Sequence, residues 1–298
     1  MNSRNKLLYH FASLPILFIL LLDIVACASE VPTTNEQGTR NSAQALTDPA
    51  PPGTLPIGLL GWYRGEGNAN NSAAPGGGGS TFGNVTYVGR GFAGAFHFDG
   101  QSAAIELPNM WPISAGNQVT LSAWVHPDSS QTGTQRWIVG AAGRFQLILT
   151  PANKVAMGFF GADNQWHTLS NSTELSTFVR YYHYVGVLSA SGGSTTLTLY
   201  GEGKQVQQAT FATMPAADNG CHLWIGGVNE SASGTCNYTG QFFNGAIDEV
   251  RVYGRSLSSS EIQTLYNADL ANVPPPTVWY RGEVTPADEQ GNPVLHEV

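Results

Sequence analysis

Hydrophobic and polar residues alternate in short runs along most of this chain. The runs 119–125, 144–149, 195–200 and 246–253 carry apolar side chains at roughly every second position. Because successive side chains of a β-strand point to opposite faces of a sheet, this spacing is typical of strands that bury one face. Clusters of Gly, Asn and Ser separate the runs and are typical of turns. The pattern predicts an all-β fold with at least ten antiparallel strands between residues 57 and 254.

One helix is predicted after these strands. Ser258 and Glu261 stand three residues apart and form a capping box, in which each side chain bonds to the backbone N–H of the other residue. The apolar residues that follow share one face of a helix; they are Ile262, Leu265 and Tyr266. We therefore expect a helix that lies with this face on the strands and stops by residues 267–269.

The last strand interrupts its own alternation. Ile247 and Val250 do not fit strict alternation, which predicts a bulge near Asp248 and Glu249. These adjacent carboxyl groups point to opposite faces, so they cannot form the pair, about 5 to 5.5 Å apart, that a retaining glycosidase needs. The chain also lacks Gly-x-Ser-x-Gly, His-Glu-x-x-His and a phosphate-binding glycine loop. We therefore predict that the protein is not an enzyme.

The N-terminus is predicted to direct export. Arg4 and Lys6 precede an apolar run over residues 7–22, so residues 1–27 are interpreted as a signal peptide. Its end, Ile24-Val25-Ala26-Cys27, resembles the bacterial lipobox and predicts lipidation of Cys27. Cleavage by the ordinary signal peptidase is the alternative, because small residues flank the site. The expected location is the cell surface, the outer membrane or the periplasm, with secretion as the alternative and with the lipid as the sole membrane contact.

Residues 28–55 are rich in Thr, Asn, Ser, Ala and Pro and are predicted to be a disordered linker before one domain over residues 56–271.

The charge of the chain limits the classes of partner that are expected. Charged residues make up 11% of the chain, its net charge is −8, and Lys and Arg form no cluster. Nucleic acid is therefore excluded as an expected partner.

The five-residue sequence Trp-Tyr-Arg-Gly-Glu occurs twice, at residues 62–66 and at residues 279–283. The first copy opens the predicted domain, and the second follows three prolines, Pro274–Pro276, which are typical of a stiff linker between domains. Too few residues follow the second copy for another core. Residues 272–298 are therefore predicted to be a proline-rich linker and the truncated start of a second repeat.

Cysteine and histidine spacing favours structural roles over metal binding. Cys221 and Cys236 are predicted to form a disulfide, since an exported protein enters an oxidising compartment. Closing the loop between them would stabilise the folded chain by about 3 kcal/mol. A metal-binding pair is the alternative, but it lacks Cys-x-x-Cys spacing and has only His222 nearby. His126, His167 and His183 have no second possible ligand at a metal-binding spacing, and they are interpreted as structural residues.

Six motifs in order resemble a bacterial laminin-G-like domain of the concanavalin A-like superfamily, over about residues 58–270. The motifs are Gly94–Gly100, Ala104–Pro108, Val119–Pro127, Leu223–Gly227, Phe243–Tyr253 and Leu257–Ile262. The resemblance implies a two-sheet jelly-roll sandwich that binds carbohydrate or protein. Domains of this kind often hold a calcium ion, so the resemblance also implies a possible calcium site in this chain.

A structural calcium site is predicted where the first and last strands of a jelly roll lie side by side. The predicted ligands are the oxygen-bearing residues Glu66, Asn70, Asn71 and Asp248. Family members commonly have Asp where this chain has Asn71. A turn held by Asn side chains is the alternative interpretation of the same loop.

A sugar site combines exposed aromatic rings with polar side chains, because sugar rings stack on aromatic faces and their hydroxyls need hydrogen-bond partners. The predicted ligand-binding residues are Trp166, Asp163, Asn164, Trp137 and Trp111. Trp124 and Trp224 are predicted to be core residues, and a structural role for Trp166 is the alternative. The leading hypothesis is a non-catalytic module that binds extracellular glycan at the cell surface. A protein–protein adhesion unit and a degenerate glycosidase are the alternatives.

Overall fold

The computed structural model describes most of the predicted domain. The described ranges are 55–74, 77–90, 93–108, 117–128, 133–175, 180–229 and 239–271. The predictions for the signal peptide, the linker, the second Trp-Tyr-Arg-Gly-Glu copy and the residues Cys27, Trp111 and Cys236 lie outside these ranges and stay predictions. Among the described residues, no helix is long and apolar enough to cross a membrane.

The described ranges form strands and one helix, in agreement with the alternation. The strands are β1 (Leu59–Tyr63), β2 (Ser80–Phe82), β3 (Thr86–Arg90), β4 (Ala93–Asp99), β5 (Ala104–Leu107), β6 (Gln118–Pro127), β7 (Arg136–Ala141), β8 (Phe145–Leu149), β9 (Val155–Phe160), β10 (Trp166–Ser170), β11 (Tyr182–Ser191), β12 (Ser194–Gly201), β13 (Lys204–Phe211), β14 (Leu223–Ile225), β15 (Val228–Asn229), β16 (Thr239–Gly240) and β17 (Asn244–Tyr253). The helix, α1, is Ser259–Ala271.

Two antiparallel sheets contain nearly all of these strands. Sheet A has eight strands in the order β13-β12-β11-β6-β17-β4-β3, with β1 also paired to β17. Sheet B has seven strands in the order β10-β9-β8-β7-β14-β5-β2, and β15 pairs with β16 separately. The predicted two-sheet antiparallel sandwich with one C-terminal helix is therefore confirmed.

The main core lies between the two sheets. Alternate side chains of each strand enter it, as with Leu121 and Val125 of β6 and Leu147 and Leu149 of β8. These residues are fully buried, which follows from the period of two that the sequence shows. Outward side chains of these strands are also buried: Trp124 of β6 stacks on Tyr266 of the helix, and Ile148 of β8 lies in a second apolar cluster.

Helix α1 covers the outer face of sheet A. Ile262 and Leu265 are fully buried against Val185 and Tyr253, so the predicted apolar face is confirmed. The helix ends at Ala271 and so extends beyond the expected stop at residues 267–269. The reason lies in its last turn, where Asp269 accepts hydrogen bonds from the sandwich, as described below.

The predicted capping box is confirmed. The Ser258 backbone N–H donates to the Glu261 carboxylate over 2.8 Å, and the Glu261 backbone N–H donates to the Ser258 hydroxyl over 3.3 Å. Arg255 donates two further hydrogen bonds to the same carboxylate. These hydrogen bonds, from the Arg255 side chain first and the Ser258 backbone second, lower the pKa of Glu261 to about 2.

Acid is therefore expected to weaken the start of α1. Because the pKa of Glu261 is lower in the folded chain than its ordinary value of 4.5, its contribution to stability is present above pH 4.5 and is lost as the pH falls toward 2. Glu261→Gln keeps an amide oxygen that can cap the helix but loses the charge opposite Arg255, so it is expected to lose about 0.5–1 kcal/mol at pH 7 and much less at pH 2. Thermal unfolding of both proteins at the two pH values measures this, and an equal difference at both would contradict it.

The predicted bulge in β17 is also confirmed, and it divides the strand between two neighbours. The register with β6 shifts between Asp248 and Arg251, and Glu249 has a positive φ of 51°. Before the bulge, residues 244–247 pair with β4; after it, residues 250–253 pair with β1. The first and last strands therefore lie side by side, as expected for a jelly roll.

Candidate functional site

A tight turn before β10 carries two of the predicted ligand-binding residues. Asn164 has a left-handed backbone with a φ of 61°, a conformation that Asn tolerates well. The backbone closes on itself through Gly161 N–H to the Gln165 carbonyl (2.8 Å) and Asn164 N–H to the Gly161 carbonyl (3.0 Å). A Cβ on Gly161 would lie 2.3 Å from the Asp163 carboxylate, so a larger residue there would displace that side chain from its present position.

The side chain of Asp163 is oriented by the strand that follows the turn. Its carboxylate lies 2.9 Å from Nε2 of His167 and also accepts the Gln165 backbone N–H over 3.2 Å. His167 in turn stacks on the buried ring of Phe159, with ring centroids 5.0 Å apart. The predicted structural role of His167 is consistent with these contacts, and the turn is tied to the core through it.

Strand β10 is an edge strand of sheet B with one exposed face. Trp166, Thr168 and Ser170 are exposed on it, and we call these three residues the β10 surface. The Trp166 side chain remains 43% exposed, while its ring meets the ring of Phe160 edge-on at 5.7 Å. Trp166 is therefore a fixed, accessible aromatic residue, and Asp163 and Asn164 lie in the turn that leads directly into it.

Trp137 does not join this surface, which corrects the predicted site. It lies three strands from β10, is only 1% exposed, and donates its indole N–H to the Trp224 carbonyl over 3.0 Å. It belongs to a second apolar cluster on the outer face of sheet B, with Trp224 and Val228 of β15. This burial leaves Trp137 without a ring face for a ligand. Trp124 and Trp224 are buried, as predicted.

A cleft that sequence reasoning missed lies at the other end of β10. Its volume is about 350 Å³, and its lining includes Asn171, Arg180, Tyr182, Tyr184 and Glu202. The Arg180 guanidinium lies 4.4 Å over the Tyr182 ring and 3.3 Å from the Glu202 carboxylate. Asn171 donates to the Tyr184 hydroxyl over 2.7 Å. The lining comes from three separate parts of the chain, so no single motif could have identified it.

The loop of the predicted calcium site is held by Asn side chains. The Asn71 amide oxygen accepts the backbone N–H groups of Trp62 and Ala73, each over 2.9 Å, and its NH₂ donates to the Leu60 carbonyl. Asn70 contributes its backbone N–H, which donates to the Asn68 side chain over 2.9 Å. These contacts correspond to the turn that was the alternative interpretation.

The two carboxylates of the predicted calcium site also have protein partners. Glu66 accepts the Gly94 backbone N–H over 2.9 Å, and the buried Asp248 accepts the Glu249 backbone N–H over 2.7 Å. Within the described ranges, no group of three or more His, Cys, Asp or Glu residues is arranged to hold a metal ion. Calcium binding stays a prediction. The same holds for the disulfide, since Cys221 is buried but Cys236 is outside the described ranges.

The bulge in β17 leads into a buried ionic network that no sequence motif identified. Arg251 lies 2.5 Å from Glu249 and 2.7 Å from Asp269 of α1. Trp62 donates its indole N–H to Glu249 over 2.6 Å, and Trp124 donates to Asp269 over 2.8 Å. We call these five residues the β17 network. Its carboxylates are buried, so they are inaccessible to a substrate.

The two carboxylates of the network differ in pKa although they share one guanidinium. Burial raises the pKa of Glu249 and outweighs the charge of Arg251. Burial acts in the same direction on Asp269, but the charge and hydrogen bonds of Arg251 outweigh it and lower that pKa. Asp269 is therefore the stronger anion of the pair, and it fixes the last turn of α1 to sheet A.

Comparisons with solved structures find similar folds at low identity. Domain 4 of AbnA, an extracellular arabinanase from Geobacillus stearothermophilus in complex with arabinotriose, is 21% identical, with a TM-score of 0.53 over 70% of this chain and 98% of that domain. The binding domain of Paraclostridial Mosquitocidal Protein 1 is 12% identical, with a TM-score of 0.55 over 71% of this chain. The binding domain of botulinum neurotoxin DC in complex with SialylT is 9% identical, with a TM-score of 0.53 over 71% of this chain.

These identities show the fold alone. This chain spans 52% of each of the two toxin binding domains. A search of curated proteins finds no match. A laminin G family model, described as the concanavalin A-like lectin/glucanases superfamily, matches residues 99–263, which is more than half of the 298 residues. Together with the sandwich, this match shows that the chain belongs to the concanavalin A-like lectin/glucanases superfamily.

Proposed function

We propose that this domain is a non-catalytic module that binds extracellular glycan on the β10 surface. The observation that carries the proposal is the Trp166 ring, which is exposed yet fixed on a regular strand. An apolar sugar face gains from stacking on such a ring, and a ring that is already held in place loses little conformational entropy on binding.

The polar groups beside Trp166 suit the hydroxyls of a sugar chain. Thr168 and Ser170 are exposed on the same face of β10 at successive intervals of about 6.6 Å, the spacing of alternate residues in a strand. Asn164, which has an amide side chain, is exposed in the turn before Trp166. A glycan lying along β10 would therefore stack at one end and form hydrogen bonds along its length.

The comparisons support a carbohydrate ligand without identifying it. The arabinanase domain is in complex with arabinotriose, and the neurotoxin binding domain is in complex with SialylT. A binding role also fits the acidic residues of β17, because Asp248 and Glu249 are both buried. We further propose that the domain is exported and tethered outside the cytoplasm through Cys27.

Trp166→Ala is expected to weaken glycan binding about 30-fold, corresponding to ~2 kcal/mol for a Trp at the centre of a binding surface. A glycan array with the mature protein identifies a ligand, and affinity electrophoresis or calorimetry with that ligand measures the change. Tyr87→Ala is the matched control, because Tyr87 is 38% exposed and packs on a neighbouring ring but lies on β3 of sheet A. The control is expected to bind as the unaltered protein does.

Three outcomes would overturn the proposal. Equal weakening by both substitutions would place the ligand elsewhere. Release of reducing ends from the bound polysaccharide would indicate a glycosidase. Retention of no polysaccharide, with capture from an envelope extract of a protein that survives deglycosylation, would indicate an adhesion unit.

A further inference from the structure

Three glutamine side chains form a hydrogen-bonded row on the outer face of sheet B. Gln146 of β8 precedes the core residue Leu147, so its side chain points to the outer face. Gln135 donates its NH₂ group to the Gln241 side-chain oxygen over 2.9 Å and to the Gln146 side-chain oxygen over 3.4 Å. The Gln146 amide is therefore held with its oxygen toward Gln135 and its own NH₂ group turned away from it.

The Gln146 NH₂ group has no hydrogen-bond partner in the part of the chain that the structure describes. The contact with Gln135 is the sole hydrogen bond of this side chain there, although the residue is only 5% exposed. A buried polar group that lacks a partner destabilises the folded protein. An amide kept in this state is therefore a candidate for a group whose partner is supplied by a ligand.

The Gln146 NH₂ group faces a gap in β9, where Gly158 has no side chain. Gly158 pairs with Gln146 on one side and with Thr168 of β10 on the other. A Cβ on Gly158 would lie 3.6 Å from the Gln146 amide nitrogen and 3.2 Å from the Thr168 hydroxyl oxygen. An amide donor and a hydroxyl therefore border the same space from opposite sides, and we call this space the Gly158 notch.

The Gly158 notch adjoins the aromatic end of the β10 surface. Thr168 follows Trp166 by two residues, so the two side chains lie about 6.6 Å apart on one face of the strand. A glycan that stacks one sugar on Trp166 and continues along β10 would place its next sugar beside the notch. A hydroxyl of that sugar would accept a hydrogen bond from Gln146 and form a second one with Thr168.

The charges beside Trp166 favour an uncharged sugar. The Asp163 carboxylate is bonded to His167 but remains 41% exposed in the turn before Trp166. Arg144 is hydrogen-bonded to β9 through its carbonyl, but its side chain is only 8% exposed and lies 3.2 Å from Asp218. A carboxylate on the ligand would therefore meet a like charge at Asp163, while the Arg144 charge is shielded from it.

We propose that Gln146 selects the ligand of this domain, which is a neutral glycan whose second sugar, counted from Trp166, places a free hydroxyl in the Gly158 notch. The inference rests on the proposed function and adds to it a ligand class and a specificity-determining residue. A glycan without that hydroxyl would leave the Gln146 amide unpaired, and a site built to hydrogen-bond a hydroxyl rejects such a ligand strongly.

Affinity electrophoresis of the full chain tests the proposal, in gels that contain xylan, β-glucan, galactan, mannan or polygalacturonate. At least one of the neutral polysaccharides is expected to retard the protein, whereas the acidic polygalacturonate is not. With the polysaccharide that retards it, Gln146→Leu is expected to weaken binding about 10-fold, because the donor is lost. Gly158→Ala is expected to weaken binding by a similar factor, because the added methyl group fills the notch while the Gln146 amide stays in place.

Gln208→Leu is the matched control, because Gln208 donates its amide to Thr198 on sheet A. It is expected to bind as the unaltered protein does, and thermal unfolding shows that each variant is folded. If Trp166→Ala weakens binding but the folded Gln146→Leu and Gly158→Ala variants do not, the proposed function stands and the role of Gln146 is refuted. Equal retardation by polygalacturonate would refute the neutral ligand class, and retardation by no polysaccharide would overturn both proposals.

Discussion

Arg251→Met is expected to lower the free energy of unfolding by about 3–5 kcal/mol, the cost of removing one partner from a buried ion pair. The Arg251 guanidinium is 1% exposed and donates one hydrogen bond to the Glu249 carboxylate and two to the Asp269 carboxylate. Methionine fills much of the same volume but leaves two carboxylates buried without their cation. Both must then be desolvated, protonated or exposed, and each route destabilises the folded chain.

Urea unfolding monitored by tryptophan fluorescence measures this change, since two tryptophans donate to the same carboxylates. Arg180→Met is the matched control, because Arg180 pairs with Glu202 at 3.3 Å but its side chain is 55% exposed. That exposed pair is expected to contribute less than about 1 kcal/mol. Neutralising the carboxylates as well, with Glu249→Gln and Asp269→Asn, is expected to recover part of the loss. Similar losses in the two Arg→Met variants would contradict the central role of Arg251.

The β17 network explains why three distant parts of the sequence are built as they are. Trp62 comes from the first strand, Glu249 and Arg251 from the last, and Asp269 from the helix. The bulge at Glu249 changes the alternation of β17, so that Arg251 contacts both the Trp62 ring and the end of α1. A local irregularity in one strand thus determines how the first strand and the helix are held.

The fold could be predicted from the sequence because its main signals are local. A period of two identifies a half-buried strand, Ser258 and Glu261 identify the start of α1, and the misplaced Val250 identifies the bulge. The end of α1 could not be predicted, because it depends on Asp269 meeting Arg251 of a different element. Contacts between distant elements, such as that of Asp269 with Arg251, form only when the chain packs. Helix propensity and hydrophobic periodicity, which are local properties, do not predict them.

The candidate site shows the same limit. Asp163, Asn164 and Trp166 are contiguous, so composition was enough to group them, and the structure places them together at the start of β10. Trp137 has a similar local sequence, but its outward face is covered by the cluster that includes Val228, far along the chain. The cleft beyond β10 is missed for the converse reason, because Asn171, Tyr182 and Glu202 meet only in the folded sandwich.

Gly65→Ala is expected to destabilise the domain by about 3 kcal/mol or more. The φ of 70° costs a residue with a Cβ about 1–2 kcal/mol, and the added carbon would also lie 2.6 Å from the Phe96 nitrogen and 2.8 Å from the Ala95 carbonyl carbon. Because both are backbone atoms of the buried strand β4, they cannot rotate away. Relief would require β1 and β4 to separate, which adds the cost typical of overpacking.

Gly67→Ala separates the two contributions. Gly67 has nearly the same φ, 72°, but no atom lies within 4 Å of its would-be Cβ. Gly67→Ala is expected to lower the free energy of unfolding by only about 1–2 kcal/mol, the cost of placing a residue with a Cβ in the left-handed conformation. Urea unfolding of both variants measures the difference, and equal losses would mean that Gly65 is required for its φ alone.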